Sequence, residues 1–269
     1  MNYIVGMGIP KITHQTWLQG WDKLPDKFKV NVDDLHTMNP DYTHMQWDEK
    51  SLREECMKIG PEVAAKFDEF PYLVQKVDLG RYVVVYNHGG ITVDTDMKSL
   101  RSISNTPNID TADMIVSYSA FPANMLGIFN NAMIFAKPHH PALHELIQTI
   151  VESSVKESDF PNKEMYINAT TAFSKFNKIV NAHKDTIVFL DHKYFEPCFS
   201  VDPVCKPTSA SIMDHKHELS WFNGYTKILA KILIVILYLL VFVVIPVVWV
   251  GWLARSTPFM RGIFKWFRR

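Results

Sequence analysis

The segment from Ile232 to Leu253 constrains this chain more than any other, because its 22 residues include no charged side chain. As a helix with a rise of about 1.5 Å per residue it would be about 33 Å long, enough to cross a hydrocarbon core of roughly 30 Å. Helices in the core of a water-soluble domain usually keep a polar face, so a buried core helix is the weaker alternative. We therefore predict a transmembrane or membrane-embedded segment over residues 228–253. Pro246 is expected to kink this helix or to turn it into a shallow hairpin.

The formal net charge of zero hides two unlike parts of the chain. Residues 255–269 carry a charge of +5 and no acid, whereas residues 1–254 carry −5. Aromatic side chains alternate with the terminal cations, which is typical of a helix lying on anionic lipid headgroups. We predict that residues 254–269 form such an interfacial tail, and a merely basic tail beside the membrane is the alternative. Both place the cations against membrane lipids, so no nucleic-acid partner is predicted.

The sequence leaves the orientation of the membrane segment open. Residues 1–11 have neither a basic region nor a long apolar run, so we predict no signal peptide. The charge of the tail favours a cytosolic C-terminus, which would put the large N-terminal part on the other side without a visible export signal. Of the three cysteines, Cys198 and Cys205 could pair, but free buried thiols are at least as consistent with the spacing.

Residues 1–221 are predicted to form one catalytic domain, because strand-like and helix-like segments alternate there without a repeat or a low-complexity linker. Apolar and β-branched runs predict strands over residues 11–17, 42–47, 114–118, 131–136 and 186–190. Helical periodicity predicts helices over residues 51–59, 72–87, 142–155 and 168–181. This alternation is typical of an α/β sheet with helices on both faces, which binds ligands beyond the carboxyl ends of its strands.

Residues 75–100 hold the richest set of candidate functional side chains. Gly89 and Gly90 are expected to end a helix, since glycine accepts the left-handed backbone found there, and a short apolar strand follows. The strand leads to Asp94 and Asp96, which point the same way because residues two apart in an extended chain share a face. Close carboxylates repel each other unless they share a cation, and oxygen ligands suit Mg²⁺ or Mn²⁺ bound to substrate phosphates. A metal and phosphate site is predicted, with a solvated turn as the alternative.

Asp78 and Arg81 precede this strand on the predicted helix. Their spacing of three puts both on one face, and the helix ends just before the strand, so this face can border the same site. We predict that Asp78 accepts hydrogen bonds from hydroxyl groups and that Arg81 donates to phosphate or sugar oxygens. A surface ion pair of little energetic value is the alternative.

Four segments of the chain resemble a known family when they are taken in order. They are Ile9-Pro10-Lys11-Ile12-x-His14-Gln15-Thr16-Trp17, Asn39-Pro40-x-Tyr42 leading to Trp47, Asp78-x-x-Arg81-Tyr82, and Gly89-Gly90-Ile91-x-x-Asp94-x-Asp96. Together they resemble the glycosyltransferases with a DXD sugar-binding region, which include yeast mannosyltransferases and, more distantly, large glucosylating toxins. Two later segments are similar to the family's less strictly, and these are Asn131-Ala132 with Pro138 to Pro141, and His215-x-His217-x-x-Ser220-Trp221.

The resemblance implies a GT-A fold, a Rossmann-like α/β sandwich, that binds a nucleotide sugar through Mn²⁺ or Mg²⁺. The catalytic residues that it implies are Asp78, Arg81, Asp94 and Asp96. Asp78 and Arg81 would hold the donor sugar, and Asp94 would contact the ribose or sugar and metal-bound water. Asp96 would bind the metal directly. The third metal ligand would be His217, with His215 as the alternative.

The resemblance also implies residues that bind the nucleotide sugar without taking part in the chemistry. Trp17 would stack on or beside the nucleobase, while Ser220 and Trp221 would close over the diphosphate. Asn131, at the start of the predicted strand over residues 131–136, would also bind the nucleotide sugar. A buried core position is the alternative for both tryptophans, and an exposed position is the alternative for the histidines.

The activity implied is the retaining transfer of a hexose, with mannose favoured, to a lipid or glycan acceptor. A C-terminal anchor is similar to that of the inositol-phosphoceramide mannosyltransferases, which favours GDP-mannose over a UDP-sugar, a Golgi or other endomembrane location, and a partner or regulatory membrane subunit. One alternative is a phosphohydrolase of the haloacid-dehalogenase type, which also begins with an apolar strand and Asp-x-Asp, although Met97-Lys98 does not fit it. Another is a non-catalytic sugar-binding membrane subunit, against which the intact Asp78, Arg81, Asp94 and Asp96 argue.

Overall fold

The computed structural model describes residues 8–199, 205–218 and 224–256. The chain divides into two compact units, Met1–Trp221 and Phe222–Arg269. Most of the predicted interfacial tail, from residue 257 onward, lies outside the described residues.

A mixed six-stranded sheet forms the centre of the first unit. Its strands are β1 Ile12–Thr16, β2 Thr43–Trp47, β3 Gly90–Val93, β5 Met114–Ser117, β6 Met133–Ala136 and β7 Ile187–Leu190. Their spatial order is β2-β1-β3-β6-β5-β7, and all neighbours are parallel except those of β6. A separate antiparallel pair consists of β4 Met97–Ser99 and β8 Met213–His215. The predicted α/β class and all of the predicted strands are confirmed.

Helices cover the sheet unequally on its two faces. They are α1 Asp26–Met38, α2 Glu49–Ile59, α3 Pro61–Glu69, α4 Leu73–His88, α5 Pro141–Val151, α6 Lys163–Thr170 and α7 Phe173–Ala182. Alternate residues of a strand face opposite sides, so Ile134 of β6 packs with α2 to α5 and α7, whereas Phe135 packs with α1 and the β4–β8 pair. The face with α4 therefore has most of the helices.

The prediction of a single helix over residues 168–181 is wrong. Asn162 caps the start of α6 by accepting a hydrogen bond from the backbone of Met165, and α6 ends at Thr170. The chain leaves the helical conformation at Thr171, whose hydroxyl donates to a carboxylate on α4, and α7 starts at Phe173. A tertiary hydrogen bond interrupts the helical pattern here, and no local signal reveals it.

His14 ties β1 to β2 and to the end of α4. The indole Nε1 of Trp47 donates to Nδ1 of His14 over 3.2 Å, and since indole is only a donor, Nδ1 carries no proton. Nε2 therefore carries the proton and donates to the carbonyl of Gly89 over 2.8 Å. Burial lowers the pKa of His14 to about 4, so the ring is neutral in the folded protein. This bond holds the turn that starts β3.

The second unit is helical without interruption from Gly224 to Ser256. It consists of α8 Gly224–Leu239, a π-helical turn Leu240–Val244 and α9 Ile245–Ser256. Its part from Val235 to Leu253 is long and apolar enough to cross a membrane, by length and composition. The wide turn lies just before Pro246, which lacks an N–H and would crowd an ordinary α-helical turn. The chain thus accommodates the proline without the reversal that a shallow hairpin would need.

Cys198 and Cys205 form a disulfide, so the alternative of two free thiols is wrong for this pair. Their Cα atoms are 5.7 Å apart, which lies within the usual range for a bridge. Cys56 is free and buried, and burial raises its pKa to about 12.

Gly90 should tolerate a side chain much less well than Gly127. Both have a positive φ, of 95° and 69°, but a Cβ on Gly90 would lie 2.5 Å from the carbonyl oxygen of Ile12, whereas one on Gly127 would meet nothing within 4 Å. Positive φ alone costs an alanine about 1–2 kcal/mol. Denaturant unfolding in detergent should therefore show a larger loss of stability for Gly90→Ala than for Gly127→Ala. Equal losses would contradict the close packing of β1 on β3.

The neutral His14 should make the fold sensitive to acid. The ring has its ordinary pKa of 6.5 in the unfolded chain and about 4 in the folded one. Protons therefore bind the unfolded state more strongly, and stability is lost as the pH falls from 6.5 towards 4, by about 3 kcal/mol for this group. We expect His14→Gln to lose less stability over this range than the unchanged chain. His144→Gln, at an exposed ring on α5, serves as the control.

Candidate functional site

The predicted site residues come together at one edge of the large sheet. β1 and β3 are parallel, with Thr13 opposite Ile91, so the residues that follow these strands reach the same edge. Trp17 directly follows β1, and Asp94 directly follows β3. Because β6 runs in the opposite direction, Asn131 arrives at this edge as well, two residues before β6 begins.

The loop between the two aspartates is held from α1. The side-chain amide of Asn31 donates to the carbonyl of Thr95 over 2.9 Å. On the other side, the backbone N–H of Asp94 donates to the carbonyl of Ala132. The loop that carries both carboxylates is therefore fixed by two elements besides its own strand.

Arg81 is the centre of a buried polar network. Its Nη2 lies 2.8 Å from Oδ1 of Asp94, and its Nη1 donates to the carbonyl of Asn131 over 2.5 Å. Its Nε lies 3.7 Å from Oδ1 of Asp78. The side chains of Arg81 and Asp78 are only 6% and 4% exposed, so the surface ion pair considered from the sequence is wrong.

Asp78 is bound on both of its carboxylate oxygens. Oδ1 accepts from the side-chain amide of Asn131 over 3.3 Å, and Oδ2 accepts from the hydroxyl of Thr171 over 3.0 Å. The same amide of Asn131 donates to the hydroxyl of Tyr82 over 3.0 Å. Burial raises the pKa of Asp78, and the charge of Arg81 works against this rise. Asp78 and Asn131 thus support Arg81 from inside the protein.

The pairing of β4 with β8 brings His215, near the C-terminal end of the first unit, close to Asp96. Met97 pairs with His215, which puts Nε2 of His215 3.4 Å from Oδ1 of Asp96. The other oxygen, Oδ2, accepts from the backbone N–H of Glu218 over 3.1 Å. Although burial opposes it, the adjacent His215 lowers the pKa of Asp96 to about 2. Burial raises the pKa of Asp94 to about 6 against the pull of Arg81, and the charge of Asp96 adds to the rise.

Glu196 is a residue of the site that the sequence reasoning missed. Its Oε2 accepts from the backbone N–H of Ala120 over 3.0 Å and from the amide of Asn130 over 2.6 Å. Its Oε1 lies 3.5 Å from Nδ1 of His215 and 3.0 Å from Nε2 of His217. A lone acid among the apolar and aromatic residues 194–199 was the available signal, since a buried carboxylate needs partners.

Several predicted residues have surroundings that the sequence did not suggest. Trp17 is partly buried and packs against Phe28 of α1, with ring centroids 5.5 Å apart. His217 faces Glu196, while His215 is the ring beside Asp96. Ser220 and Trp221 lie outside the described residues.

The donor set suits a divalent cation such as Mn²⁺ or Mg²⁺. Asp94 and Asp96 offer carboxylate oxygens on side chains that are 30% and 15% exposed, so solvent reaches both. Arg81 contacts one oxygen of Asp94, which leaves Oδ2 for another ligand. Oxygen ligands on a solvent-facing edge, with histidine nitrogen nearby, fit these ions.

Residues 25–121 match a family model described as "Glycosyltransferase sugar-binding region containing DXD motif". The matched range includes Asp78, Arg81, Asp94 and Asp96 and ends before His215 and His217. It also excludes Trp17.

Curated relatives carry related descriptions. The chain is 32% identical over 144 residues to inositol phosphoceramide mannosyltransferase 3 of Schizosaccharomyces pombe, which covers 53% of this chain and 37% of the relative. It is 24% identical over 195 residues to the uncharacterized glycosyltransferase L373 of Acanthamoeba polyphaga mimivirus, covering 71% of this chain and 74% of the relative. The mannosyl phosphorylinositol ceramide synthase SUR1 of Saccharomyces cerevisiae is 24% identical over 144 residues, covering 53% of this chain and 35% of the relative. The chain thus spans little more than a third of the length of these two yeast relatives.

A solved structure shares the fold. The UDP-bound glycosyltransferase domain of the YGT toxin aligns over 81% of this chain and 82% of its own, with a TM-score of 0.53 and 10% sequence identity. At this identity the likeness concerns the fold alone. It confirms the predicted GT-A architecture.

Removing Arg81 should destabilise the protein much more than removing an exposed arginine. Arg81→Met would leave Asp78 and Asp94 without their cation, and breaking a buried ion pair costs about 3–5 kcal/mol. The control is Arg53→Met, because Arg53 pairs with Asp68 through two hydrogen bonds on the surface. Denaturant midpoints in detergent give the comparison. Similar midpoints for the two variants would contradict the central position of Arg81.

Proposed function

We propose that this chain is a membrane-anchored, metal-dependent, retaining hexosyltransferase, because residues 25–121 match the family model of the DXD sugar-binding region of glycosyltransferases. It would move mannose by preference from a nucleotide sugar to a lipid or glycan. The observation that carries this proposal is the meeting of Asp94, Asp96 and buried Arg81 beyond the carboxyl ends of β1 and β3. Sheets of this class bind nucleotides at such an edge.

Asp94 and Asp96 would hold Mn²⁺, or Mg²⁺ as the alternative. When bound, the ion would neutralise charge on the departing diphosphate. Nη2 of Arg81 lies 2.8 Å from Oδ1 of Asp94 and fixes the orientation of this carboxylate, including the direction of its other oxygen. The N–H of Glu218 does the same for Asp96. His217 would be the third ligand, with Nε2 3.0 Å from Oε1 of Glu196, and His215, which lies beside Asp96, is the alternative.

The contacts of the aspartates favour front-face substitution, in which the leaving phosphate takes the proton of the acceptor. A double displacement would need a free carboxylate nucleophile. Asp78 is bound on both oxygens and Asp94 is paired with Arg81. Retention then follows without a covalent sugar–protein bond. Mass spectrometry that found a glycosylated side chain during turnover would contradict this mechanism.

The resemblance supplies the remaining proposed contacts with the donor. Trp17 would present a ring to the nucleobase from the end of β1, backed by Phe28. Ser220 and Trp221 would close over the diphosphate. Asp78, Asn131 and Thr171 would act through Arg81, since all are buried.

The relatives support mannose as the sugar and a lipid as the acceptor. Two of them are described as enzymes of inositol phosphoceramide mannosylation, which favours GDP-mannose and a phosphoinositol-bearing lipid. A UDP-sugar is the alternative, because the toxin domain that shares the fold is UDP-bound. The segment Val235–Leu253 would anchor the chain at the membrane that holds its acceptor, in the Golgi or another endomembrane. A partner membrane subunit would be compatible with this arrangement.

The phosphohydrolase alternative has less support. Its nucleophile would be Asp94, but the guanidinium of Arg81 lies 2.8 Å from this carboxylate and stabilises its charge, which weakens it as a nucleophile. The other alternative is a non-catalytic sugar-binding subunit, and an activity measurement distinguishes it from a transferase.

Full-length protein in detergent should release nucleoside diphosphate from a nucleotide sugar when Mn²⁺ is present. We would compare GDP-mannose with UDP-sugars, with and without a phosphoinositol lipid. Asp96→Asn should lower turnover by about 10²–10³-fold, as expected when charge stabilisation is lost. Asp68→Asn, which removes an exposed partner of Arg53, should keep turnover unchanged.

Three outcomes would contradict the proposal. Phosphate release from monoesters without an acceptor would favour the hydrolase. Donor binding without any turnover would favour the sugar-binding subunit. Unchanged donor binding in Asp96→Asn would contradict the assignment of the site.

A further inference from the structure

Glu196 and His217 face each other in a way that calls for a positive charge between them. Nε2 of His217 lies 3.0 Å from Oε1 of Glu196, yet this nitrogen is buried and has no hydrogen-bond partner among the described residues. Both side chains are 5% exposed. A buried polar atom without a partner costs free energy, so its position needs a reason.

The tautomer of His217 makes this contact unfavourable as it stands. Although Nε2 lies 3.0 Å from a carboxylate oxygen, it makes no hydrogen bond to it, so the proton of the neutral ring belongs on Nδ1 and Nε2 has a lone pair. A lone pair then faces a carboxylate oxygen.

His215 adds a third donor atom on the same side. Its Nδ1 lies 3.5 Å from Oε1 of Glu196, and its Nε2 lies 3.4 Å from Oδ1 of Asp96. Nδ1 also lies 3.4 Å from the side-chain amide of Asn130, so the ring of His215 is held between Asp96, Asn130 and Glu196.

We propose that Oε1 of Glu196, Nε2 of His217 and Nδ1 of His215 form a divalent-cation site of the zinc type, beside the Asp94–Asp96 pair but separate from it. One ligand atom from each of the three side chains lies within 4.8 Å of the other two. Zinc sites use two histidines and one glutamate at about 2.0–2.2 Å, for which tetrahedral ligands are about 3.4 Å apart. The distances of 3.0 and 3.5 Å agree with this spacing.

Two of the ligands are also supported from behind, as ligands of protein metal sites usually are. Asp96 supports His215. The second oxygen of Glu196 is fully used by Ala120 and Asn130. His217 adopts a left-handed backbone, with φ of 50°, a conformation that persists where its surroundings enforce it. These contacts describe a built site rather than a chance cluster.

The cation would join three segments at the edge of the sheet. Glu196 follows β7, and its support from Ala120 and Asn130 comes from the loop between β5 and β6. His215 is the last residue of β8, and His217 follows that strand. Through His215 the cation would also orient Asp96. The site stands on these contacts alone and does not depend on the proposed transferase activity.

Zinc binding by the full-length protein in detergent tests this proposal. The protein is stripped with a chelator and dialysed against Zn²⁺, its metal content is measured by mass spectrometry, and its affinity by competition with a chromogenic chelator. We expect one tightly bound Zn²⁺, and we expect the affinity for it to fall at least about 100-fold in Glu196→Gln. Asp94→Asn should keep it. Glu55→Gln is the matched control, because Glu55 is equally buried but makes a hydrogen bond with the single ring of His88 over 2.9 Å.

A second variant protects the test against misfolding. His217→Asn should bind Zn²⁺ weakly and still fold, since asparagine tolerates a left-handed backbone. Zn²⁺ should raise the thermal midpoint of the unchanged chain and of Asp94→Asn but not of His217→Asn. Unchanged affinity in Glu196→Gln or in His217→Asn would overturn the proposal. So would a single bound ion lost equally in Asp94→Asn and Glu196→Gln, because the two sites would then be one.

Transferase turnover is measured separately with Mn²⁺ and a nucleotide sugar. Zinc binding without turnover would overturn only the proposed function. Turnover without zinc binding would overturn only the proposed zinc site.

Discussion

The guanidinium of Arg81 lies between carboxylates that could not otherwise be buried together. Charges removed from water need partners at close range, and Arg81 contacts Asp94 over 2.8 Å and lies near Asp78. This requirement fixes the rotation of α4 against β3, because Arg81 and Asp78 are on the helix and Asp94 follows the strand. It also explains why α4 is enclosed on nearly all sides. The edge of the sheet where Asp94 and Asp96 meet solvent depends on this buried pair.

A second set of contacts adds the C-terminal end of the unit to the same edge. The pairing of β4 with β8 brings His215 to Asp96, and Glu196 then lies behind both histidines. The disulfide between Cys198 and Cys205 closes the loop directly after Glu196. Four carboxylates, two imidazoles and one guanidinium are thereby joined in one chain of contacts. Such an excess of acid is stable where cations are bound, which agrees with a site for metal ions and phosphates.

Local patterns were sufficient wherever neighbouring residues decide the structure. The short strand before Asp94 was predictable, because an apolar run that follows glycine has few other solutions, whereas β4 after it was not predicted. Helix α4 followed from its periodicity and from Gly89. The patterns did not include α1, although Phe28, Val32 and Leu35 follow helical spacing within that polar segment. The break at Thr171 was not predictable, because its cause is a hydrogen bond to Asp78, 93 residues away.

By itself, the sequence determined the apolar segment from Val235 to Leu253, the acidic strand end at Asp94 and Asp96, and the shared face of Asp78 and Arg81. These are properties of adjacent residues and of their periodicity. Only the tertiary structure decided that His215, rather than His217, adjoins Asp96, and that Glu196 joins them. Chain segments far apart in sequence meet there through the pairing of β4 with β8 and the return of the chain after β7. Such contacts depend on packing across the whole domain, and no local pattern encodes them.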